Sequence, residues 1–278
     1  MNDFAVFVLS HGRPSKVSTI NALRKHGFSG RIFVVVDDLD DQLEEYKENF
    51  SENLLVFDKQ KMADSIDEGN NFDELGCVIH ARNACFDLAK KVGVKYFIQM
   101  DDDYTCFRWR YVDKYITKGY IKDLDRVLET YLKFYKSTPC ASIAMAQGGD
   151  FISGAGCRLL NNYQSRSRKC MNSFICSTER PFKFIGQMNE DVNTYTTLAT
   201  RGMLFLTLPF VALEQKKTQS QSGGITDLYL RLGTFCKSFT TVMMSPSSVK
   251  VFMMGFKDLR LHHRVKWLIT VPKILKQS

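Results

Sequence analysis

The sequence predicts an α/β fold in which a mixed sheet is flanked by helices and the C-terminal half is mixed or antiparallel. The first hundred residues alternate short β-rich runs with amphipathic helices, which is typical of parallel strands joined by helical crossovers. Later, short β-like runs are joined by turns rich in glycine and serine. With 278 residues, of which 44% are hydrophobic and 24% charged, the chain can form one large core.

The N-terminal half has the clearer pattern of the two. Its predicted order is a strand at 4–9, a helix at 15–26, a strand at 31–36, a helix ending near 50, a strand at 54–57, a loop at 58–76, a helix at 79–92 and a strand at 96–100. Gly27 and Gly93 follow two of these helices, as expected for residues that end a helix.

The most regular helix begins after Asp123, a residue type that is favoured at the N-cap. Its apolar residues recur at the i, i+3, i+4 and i+7 positions of one helical face, namely Leu124, Val127, Leu128, Tyr131, Leu132 and Tyr135. Beyond it we predict strands at 142–146, 203–208 and 249–253, and one helix at 192–201. Residues 1–278 are therefore expected to form a single domain.

Composition narrows the class of protein. The eight cysteines form no Cys-x-x-Cys pair, which argues against a zinc site and favours reduced, buried thiols. No stretch has the pattern of a signal peptide or a membrane span, so we expect a cytoplasmic protein that does not enter a membrane. The net charge of +8 suggests an anionic partner, although a solvated basic surface would explain it equally well.

Three consecutive aspartates, Asp101, Asp102 and Asp103, follow the apolar strand at 96–100. In open α/β sheets, ligands bind at the carboxyl ends of the strands. Adjacent carboxylates repel one another, and a divalent cation such as Mn²⁺ or Mg²⁺ would neutralise them with the oxygen ligands that hard cations prefer. A solvated acidic turn is the alternative.

A second group of polar residues follows the first predicted strand. Ser10, His11, Gly12 and Arg13 precede a helix, and the amides and cationic side chain of such a turn suit a phosphate or a base. Asp37 follows the second strand, where a nucleotide's ribose or base would lie at the same sheet edge. The alternative is a helix start with an exposed arginine.

The Asp-x-Asp at the end of a strand resembles the GT-A glycosyltransferases, which have a Rossmann-type sheet. Two further elements match in order: His80-Ala81-Arg82-Asn83 on the preceding helix, and Asn189-Glu190-Asp191 before a later helix. The resemblance implies that Arg82, Asp101 and Asp102 bind a nucleotide sugar. It also implies that Asp191 is the general base of an inverting transfer, with Glu190 beside it.

Further motifs resemble the TET/JBP-associated glycosyltransferases, found largely in bacteriophages. They are Gln99-Met100-Asp101-Asp102-Asp103-Tyr104, Gly223-Gly224-Ile225-Thr226-Asp227-Leu228-Tyr229, Ser245-Pro246-Ser247-Ser248-Val249-Lys250-Val251 and His262-His263. This resemblance implies transfer from a UDP-sugar, with UDP-glucose as the default, to a hydroxymethylated pyrimidine in DNA such as 5-hydroxymethylcytosine. Residues 1–104 would then form the nucleotide-sugar-binding half, and 105–278 the acceptor-binding and catalytic half.

The resemblance also implies which residues bind the metal. Mn²⁺ or Mg²⁺ would be bound by Asp103, with Asp101, and by a C-terminal histidine. If the basic stretch 260–266 is a strand, Leu261, His263 and Val265 share a face, which favours His262 as the ligand. Two surface histidines are the alternative. Residues predicted to contact DNA or the acceptor are Gly149, Ser153, Arg166, Arg168, Lys169, Lys216 and Lys217.

Three other interpretations remain open at this level. The acceptor could be a protein, a glycan or a lipid. The chain could be a nucleotidyltransferase, which also uses carboxylates and a divalent metal but releases pyrophosphate. It could also be a DNA-binding module that retains a degenerate transferase fold. The aspartate cluster and the Glu190-Asp191 pair together favour an enzyme.

Overall fold

A computed structural model describes residues 2–66, 75–112, 115–116, 119–151, 154–161, 168–215, 226–254 and 259–275. Within these ranges it gives the backbone alone for 111–112, 115–116, 226–232, 234 and 260. An eight-stranded mixed sheet lies between helices. The predicted fold class, a mixed α/β sheet with a mixed C-terminal half, is confirmed.

The parallel part of the sheet comes from the first hundred residues. Its strands are β1 (Phe4–Leu9), β2 (Arg31–Asp37), β3 (Leu54–Phe57) and β4 (Tyr96–Asp101), which pair in parallel in the order β3-β2-β1-β4. The helices between them are α1 (Ser18–Lys25), α2 (Leu43–Phe50), α3 (Lys59–Asp64) and α4 (Ile79–Lys91), with 3-10 turns at Pro14–Lys16 and Ser51–Asn53.

The remaining strands complete the sheet with both orientations. They are β5 (Tyr104–Trp109), β8 (Cys140–Gln147), β9 (Ser173–Ser177) and β10 (Leu204–Gln215). β9 is antiparallel to β4, β10 is parallel to β8, and β5 is antiparallel to β10 at the edge. The complete strand order is β3-β2-β1-β4-β9-β8-β10-β5. Two short strands, β6 (Tyr111–Val112) and β7 (Tyr115–Ile116), pair with each other.

Helices and a hairpin surround this sheet. The helices are α5 (Leu124–Lys136), α6 (Arg158–Asn161), α7 (Glu190–Thr200), α8 (Thr226–Met244) and α9 (Trp267–Thr270), with 3-10 turns at Gly148–Phe151 and Gly154–Gly156. Gly233, whose φ is 73°, interrupts α8 with a non-helical conformation. The hairpin consists of β11 (Val249–Met254) and β12 (Arg260–Val265), and it packs on α8.

The core lies on both faces of the sheet because successive strand side chains alternate between faces. On β1, Val6 and Val8 belong to one cluster, together with Leu128 of α5, whereas Phe7 and Leu9 belong to the other cluster with α4. All eight cysteines are free thiols in the structure, and six of them are buried, as expected for small apolar side chains. Within the described ranges, no helix is both long and apolar enough to cross a membrane.

The secondary structure differs from the predicted pattern in three places. The stretch 58–76 was predicted to be a loop, but Asp58 accepts a hydrogen bond from the backbone N–H of Lys61 and begins α3. The helix predicted at 192–201 begins earlier, at Glu190. The 19-residue helix α8 was not predicted, because its serine, threonine and glycine content is typical of turns.

Candidate active site

The carboxyl ends of β1, β2 and β4 meet at one edge of the sheet and bring the polar turns together. Ser10 follows β1 and donates a hydrogen bond of 2.6 Å from its hydroxyl to Oδ2 of Asp102. The guanidinium of Arg13 lies 3.0 Å from the other carboxylate oxygen of Asp102. The structure therefore joins the two turns that the sequence identified separately, and both oxygens of Asp102 have protein partners.

A buried tyrosine fixes the turn after β1. The hydroxyl of Tyr46 lies 2.7 Å from Oγ of Ser10 and accepts a hydrogen bond of 2.9 Å from the backbone N–H of Arg13. Burial raises the pKa of Tyr46 to about 12, so this hydroxyl keeps its proton at neutral pH. No sequence pattern pointed to Tyr46, because a tyrosine on an amphipathic helix is most often a core residue.

The end of β2 holds a cluster of charged groups. Nδ1 of His11 lies 2.9 Å from Asp37 and 3.0 Å from Asp40, and the Lys59 ammonium lies 3.2 Å from Asp37. Gly12, whose φ is 64°, donates its N–H to Asp40 at 2.7 Å. His11, Asp37 and Asp40 are one group in the described structure whose ligand atoms lie close enough to hold a metal ion.

The charges of this cluster stabilise one another. The hydrogen bond to Asp37 raises the pKa of His11 above its usual value. Burial acts to raise the pKa of Asp37, but His11 and Lys59 outweigh burial and lower it. Lys59 and Asp40 were not among the predicted site residues. Asp40 could have been identified from the sequence because it lies in the acidic run 37–41. Lys59 was not identified because it lies in the stretch that was predicted to be a loop.

Asp103 is the member of the acidic turn whose charge is least compensated. Its Oδ1 is buried, and no hydrogen-bond partner reaches that atom within the described structure. Burial, followed by the charges of Asp101 and Asp102, raises the pKa of Asp103 to about 6. A buried carboxylate oxygen without a partner is costly, and a bound cation would offset that cost.

Thr19 of α1 holds the acidic turn in place. Its hydroxyl donates to the backbone carbonyl of Asp101 at 2.6 Å and accepts from the N–H of Tyr104 at 2.9 Å. Its own N–H donates to the carbonyl of Asp102 at 3.2 Å. Thr19 is fully buried, and the sequence offered no signal for this role, because threonine is common in amphipathic helices.

Arg82 of α4 connects the acidic turn to the start of α7. Its guanidinium lies 3.0 Å from Oδ1 of Asp101 and 2.9 Å from Oε1 of Glu190, and it stacks over the ring of Phe174. Burial disfavours its charge, but the two carboxylates outweigh burial and raise the pKa of Arg82. The structure thus brings the two predicted elements together through one buried side chain.

Asp191 lies buried at the start of α7. Burial, followed by the charge of Glu190, raises the pKa of Asp191 to about 7, and the N–H of Val192 donates to Oδ1 at 2.7 Å. The preceding residue, Asn189, has a left-handed backbone with φ of 53°. Its side-chain amide donates to the carbonyl of Lys237 at 2.6 Å and to the hydroxyl of Thr241 at 3.1 Å, which ties α7 to α8.

The residues predicted to contact the acceptor are only partly described. Ser153, Arg166, Lys216 and Lys217 lie outside the described residues. Gly149 lies in the 3-10 turn after β8, and Arg168 is half-buried. Lys169 is not an exposed cation: it forms an ion pair with Asp150, and burial lowers its pKa to about 8.

The two C-terminal histidines lie on β12, as the predicted strand required. Nδ1 of His262 lies 2.8 Å from the backbone oxygen of His263, and its ring lies 6.1 Å from that of Phe252. Burial, with the charges of His262 and Lys237, lowers the pKa of His263 to about 4. These contacts do not link His262 to Asp101 or Asp103, and its role as a ligand stays a prediction.

Most of the chain matches one known protein family. Residues 4–224 match the model described as TET-Associated Glycosyltransferase. The protein is a glycosyltransferase. The chain belongs to the TET-associated glycosyltransferase family, as the resemblance of its combined motifs predicted. A comparison with curated protein sequences found no match.

Several solved structures are similar to the chain. The mannosyltransferase PcManGT from Pyrobaculum calidifontis, in complex with GDP-Man and Mn²⁺, is 13% identical with a TM-score of 0.45, over 87% of this chain and 73% of that one. Residues 1–349 of TarS from S. aureus, in complex with UDP-GlcNAc, are 14% identical with a TM-score of 0.44, over 82% and 64%. The match spans 36% of a longer TarS chain.

Proposed function

We propose that the protein is an inverting, metal-dependent glycosyltransferase that moves a sugar from a UDP-sugar, with UDP-glucose as the default, to the hydroxyl of a hydroxymethylated pyrimidine in DNA. The observation that carries the proposal is the Arg82 link between Asp101 and Glu190. It joins the acidic turn to Glu190, the residue before Asp191, which supports a single site that includes both elements. The family supports the chemistry, and its name suggests DNA as the acceptor, in the host cytoplasm if the chain is phage-encoded.

A divalent cation fits the acidic turn. The unpartnered Oδ1 of Asp103 offers a ligand atom, and Asp101, whose side chain is 30% exposed, offers a second from the same turn. Oxygen donors of this kind suit Mn²⁺ or Mg²⁺. When bound, the ion would neutralise the charge of the donor's diphosphate as it leaves. His262 is the proposed third ligand.

Residues around the acidic turn would bind and orient the sugar nucleotide. Arg13, His11 and Gly12 line the turn after β1 where a nucleotide would lie, and Ser10 and Asp102 hold Arg13 in position. Asp37 would meet the ribose or base. Arg82 keeps Glu190 in a fixed orientation toward the sugar hydroxyls.

Asp191 would receive the proton of the acceptor hydroxyl. As that proton moves to the carboxylate, the hydroxyl oxygen forms a bond to the anomeric carbon from the face opposite the diphosphate. The bond from that carbon to the diphosphate oxygen breaks with its electron pair, which gives a nucleoside diphosphate and an inverted glycoside. A base with a pKa near the working pH is suited to this step, and the pKa of Asp191 is raised to about 7.

We further propose that residues 1–278 form one domain with two functional halves. Strands β1 to β4 supply the donor side, and residues 105–278 supply Glu190, Asp191 and the acceptor side. Gly149, Ser153, Arg166, Arg168, Lys216 and Lys217 are the proposed acceptor residues, whereas Lys169 is held in the ion pair with Asp150. The net charge of +8 suits contact with the DNA backbone.

The proposed reaction is tested by incubating the protein with Mn²⁺, a panel of UDP-sugars and DNA that contains 5-hydroxymethylcytosine or 5-hydroxymethyluracil. Mass spectrometry of the digested nucleosides should show an added hexose or pentose, and DNA with unmodified cytosine is the control. Metal-dependent UDP release without added nucleoside mass would contradict the DNA acceptor and favour a protein, glycan or lipid. Release of pyrophosphate would contradict glycosyl transfer.

The metal site has a test that does not depend on turnover. Losing a residue that only supports a metal ligand typically weakens metal binding about 10- to 100-fold. Replacing Asp103, a proposed ligand, by asparagine should weaken Mn²⁺ binding by more than that. Titration calorimetry measures this affinity, and Asp87→Asn, which changes an exposed carboxylate on α4, is the matched control. Because ionised Asp103 is required, affinity in the unchanged protein should rise between about pH 5 and 7.

Thermal unfolding gives a second readout for the same site. Mn²⁺ should raise the melting temperature of the unchanged protein but not that of Asp103→Asn. Without metal, the asparagine variant should be at least as stable, because it removes a buried charge that has no partner. Equal Mn²⁺ affinity in the two proteins would show that Asp103 is not a ligand.

A further inference from the structure

The side-chain amides of Asn172 and Gln215 form a hydrogen-bonded pair, the amide pair. Nδ2 of Asn172 donates to Oε1 of Gln215 at 2.9 Å, and both residues are half-buried. Asn172 directly precedes β9, and Gln215 is the last residue of β10. The amide pair therefore joins two strands of the central sheet and remains accessible to a ligand.

Strand pairing places the amide pair beside the acidic turn. Ser173, which follows Asn172, pairs with Met100, the residue before the turn. Gln215 pairs with Tyr104, the residue after the turn. The register between β5 and β10 shifts immediately before Gln215, and such irregularities are common next to active sites, where they redirect side chains. The amide pair thus lies at the sheet edge that holds the acidic turn.

Tyr104 connects the amide pair to Asp101. Its hydroxyl donates to the backbone carbonyl of Asn172 and lies 3.4 Å from Oδ2 of Asp101. The other oxygen of Asp101 contacts Arg82, which holds Glu190. Asn172 has a left-handed backbone with φ of 57°, a conformation that asparagine adopts more readily than most residues. The amide pair is therefore held against the residues of the proposed reaction.

The amide pair offers a ligand one acceptor and one donor. Its internal hydrogen bond leaves Oδ1 of Asn172 and the NH₂ group of Gln215, and within the described ranges these two groups have no other partner. Phosphate oxygens only accept, so the diphosphate of a sugar nucleotide would leave Oδ1 unmatched. The N3–C4 edge of a pyrimidine carries one donor and one acceptor side by side, in cytosine and in uracil alike. Enzymes that act on extruded bases bind them along this edge.

We propose that the amide pair binds the N3–C4 edge of the acceptor pyrimidine and holds the base while its hydroxymethyl group reacts. This inference rests on the proposed function, because it takes the acceptor to be a pyrimidine in DNA. Both residues lie in the half of the chain assigned to the acceptor, which favours the base over the sugar of the donor. In a duplex that edge is already paired, so the amide pair binds a base that is single-stranded or extruded. Asn172 and Gln215, which no sequence motif identified, are thus specificity-determining residues.

The test measures how much the base contributes to DNA affinity. Fluorescence anisotropy, without a sugar donor, compares a single-stranded oligonucleotide that contains one 5-hydroxymethylcytosine with the same oligonucleotide carrying an abasic site there. The unchanged protein should bind the first more tightly. Gln215→Met keeps the length of the side chain but removes its hydrogen-bonding groups, so this ratio of affinities should fall about ten-fold. Affinity for the abasic oligonucleotide should not change.

A second variant and a matched control separate recognition from folding. Asn172→Gly removes the other amide but permits the left-handed backbone, so it should give the same loss. Gln60→Met changes an exposed glutamine on α3 that bonds to Asp64, and it should leave the ratio unchanged. An equal loss of affinity for both oligonucleotides would show that the amide pair is only structural. Equal binding of both oligonucleotides by the unchanged protein would also overturn the proposal.

Further measurements keep this inference distinct from the proposed reaction. Calorimetry should give the same dissociation constant for the sugar nucleotide in all these proteins. Weaker donor binding with an unchanged base ratio would assign the amide pair to the donor's sugar and overturn the proposal. If the ratio falls in the variants but the unchanged protein glycosylates no DNA, the reaction is refuted and recognition of the base stands. If DNA is glycosylated and the ratio does not fall, the reaction stands and the role of the amide pair is refuted.

Discussion

Asp191→Asn should lower the rate of sugar transfer about 10²- to 10⁴-fold, the range expected for the loss of a general base. An amide has nearly the same shape as a carboxylate and can still accept the hydrogen bond from the N–H of Val192. It cannot take up the proton of the acceptor. The dissociation constant for the sugar nucleotide should therefore change little.

Single-turnover kinetics with saturating donor measures the transfer step, and calorimetry measures donor binding. In the unchanged protein, the rate should rise with pH and level off above about pH 7, because only ionised Asp191 acts as a base. Asp87→Asn is again the control, since that carboxylate pairs with Lys90 on the surface. Unchanged turnover in Asp191→Asn would remove Asp191 from the mechanism.

Arg82→Met should lower the free energy of unfolding by about 3–5 kcal/mol, the cost expected when one partner of a buried ion pair is removed. Most of this loss should come from Glu190, whose side chain is 10% exposed, rather than from Asp101, which water reaches. Urea unfolding measures the difference. Arg82→Lys should recover only part of it, because an ammonium group cannot reproduce the two separate guanidinium contacts.

Two variants test whether the uncompensated charge of Glu190 causes the loss of stability in Arg82→Met. Arg82→Met combined with Glu190→Gln should be more stable than Arg82→Met alone, since the second change removes the buried charge. Lys90→Met breaks an exposed pair on the same helix and should change stability by less than about 0.5 kcal/mol. If the double variant is no more stable, the loss at Arg82 arises from packing against Phe174 instead.

The sequence predicted best the elements whose patterns are local. The predicted strands at 4–9 and 54–57 agree with β1 and β3, and Asp123 caps α5 as predicted, because alternation, helical spacing and capping depend on neighbouring residues. Strand β9 was missed. Its five residues are all buried, and a run that short has the same pattern as a turn or a piece of helix.

Contacts between site residues could be predicted from the sequence only where the order of the strands in the sheet determines them. The parallel order of β1, β2 and β4 brings Ser10, Arg13 and the acidic turn to one edge, as the sequence suggested. The partners of Arg82 lie 19 and 108 residues away, and the pairing of Lys169 with Asp150 depends on side-chain burial. No spacing rule reports such contacts, because they depend on how the helices pack against the sheet.

The family match ends at residue 224, but the physical unit that supports the proposed base extends further. The amide of Asn189 is held by Lys237 and Thr241, both on α8 and outside the matched segment. Asn189 precedes Glu190 and Asp191 in a left-handed conformation that few residue types adopt readily. The backbone geometry at Asn189, inside the matched segment, therefore depends on residues of α8 outside it. A fragment cut at the edge of the match would keep every matched residue and lose the contacts that hold Asn189 in place.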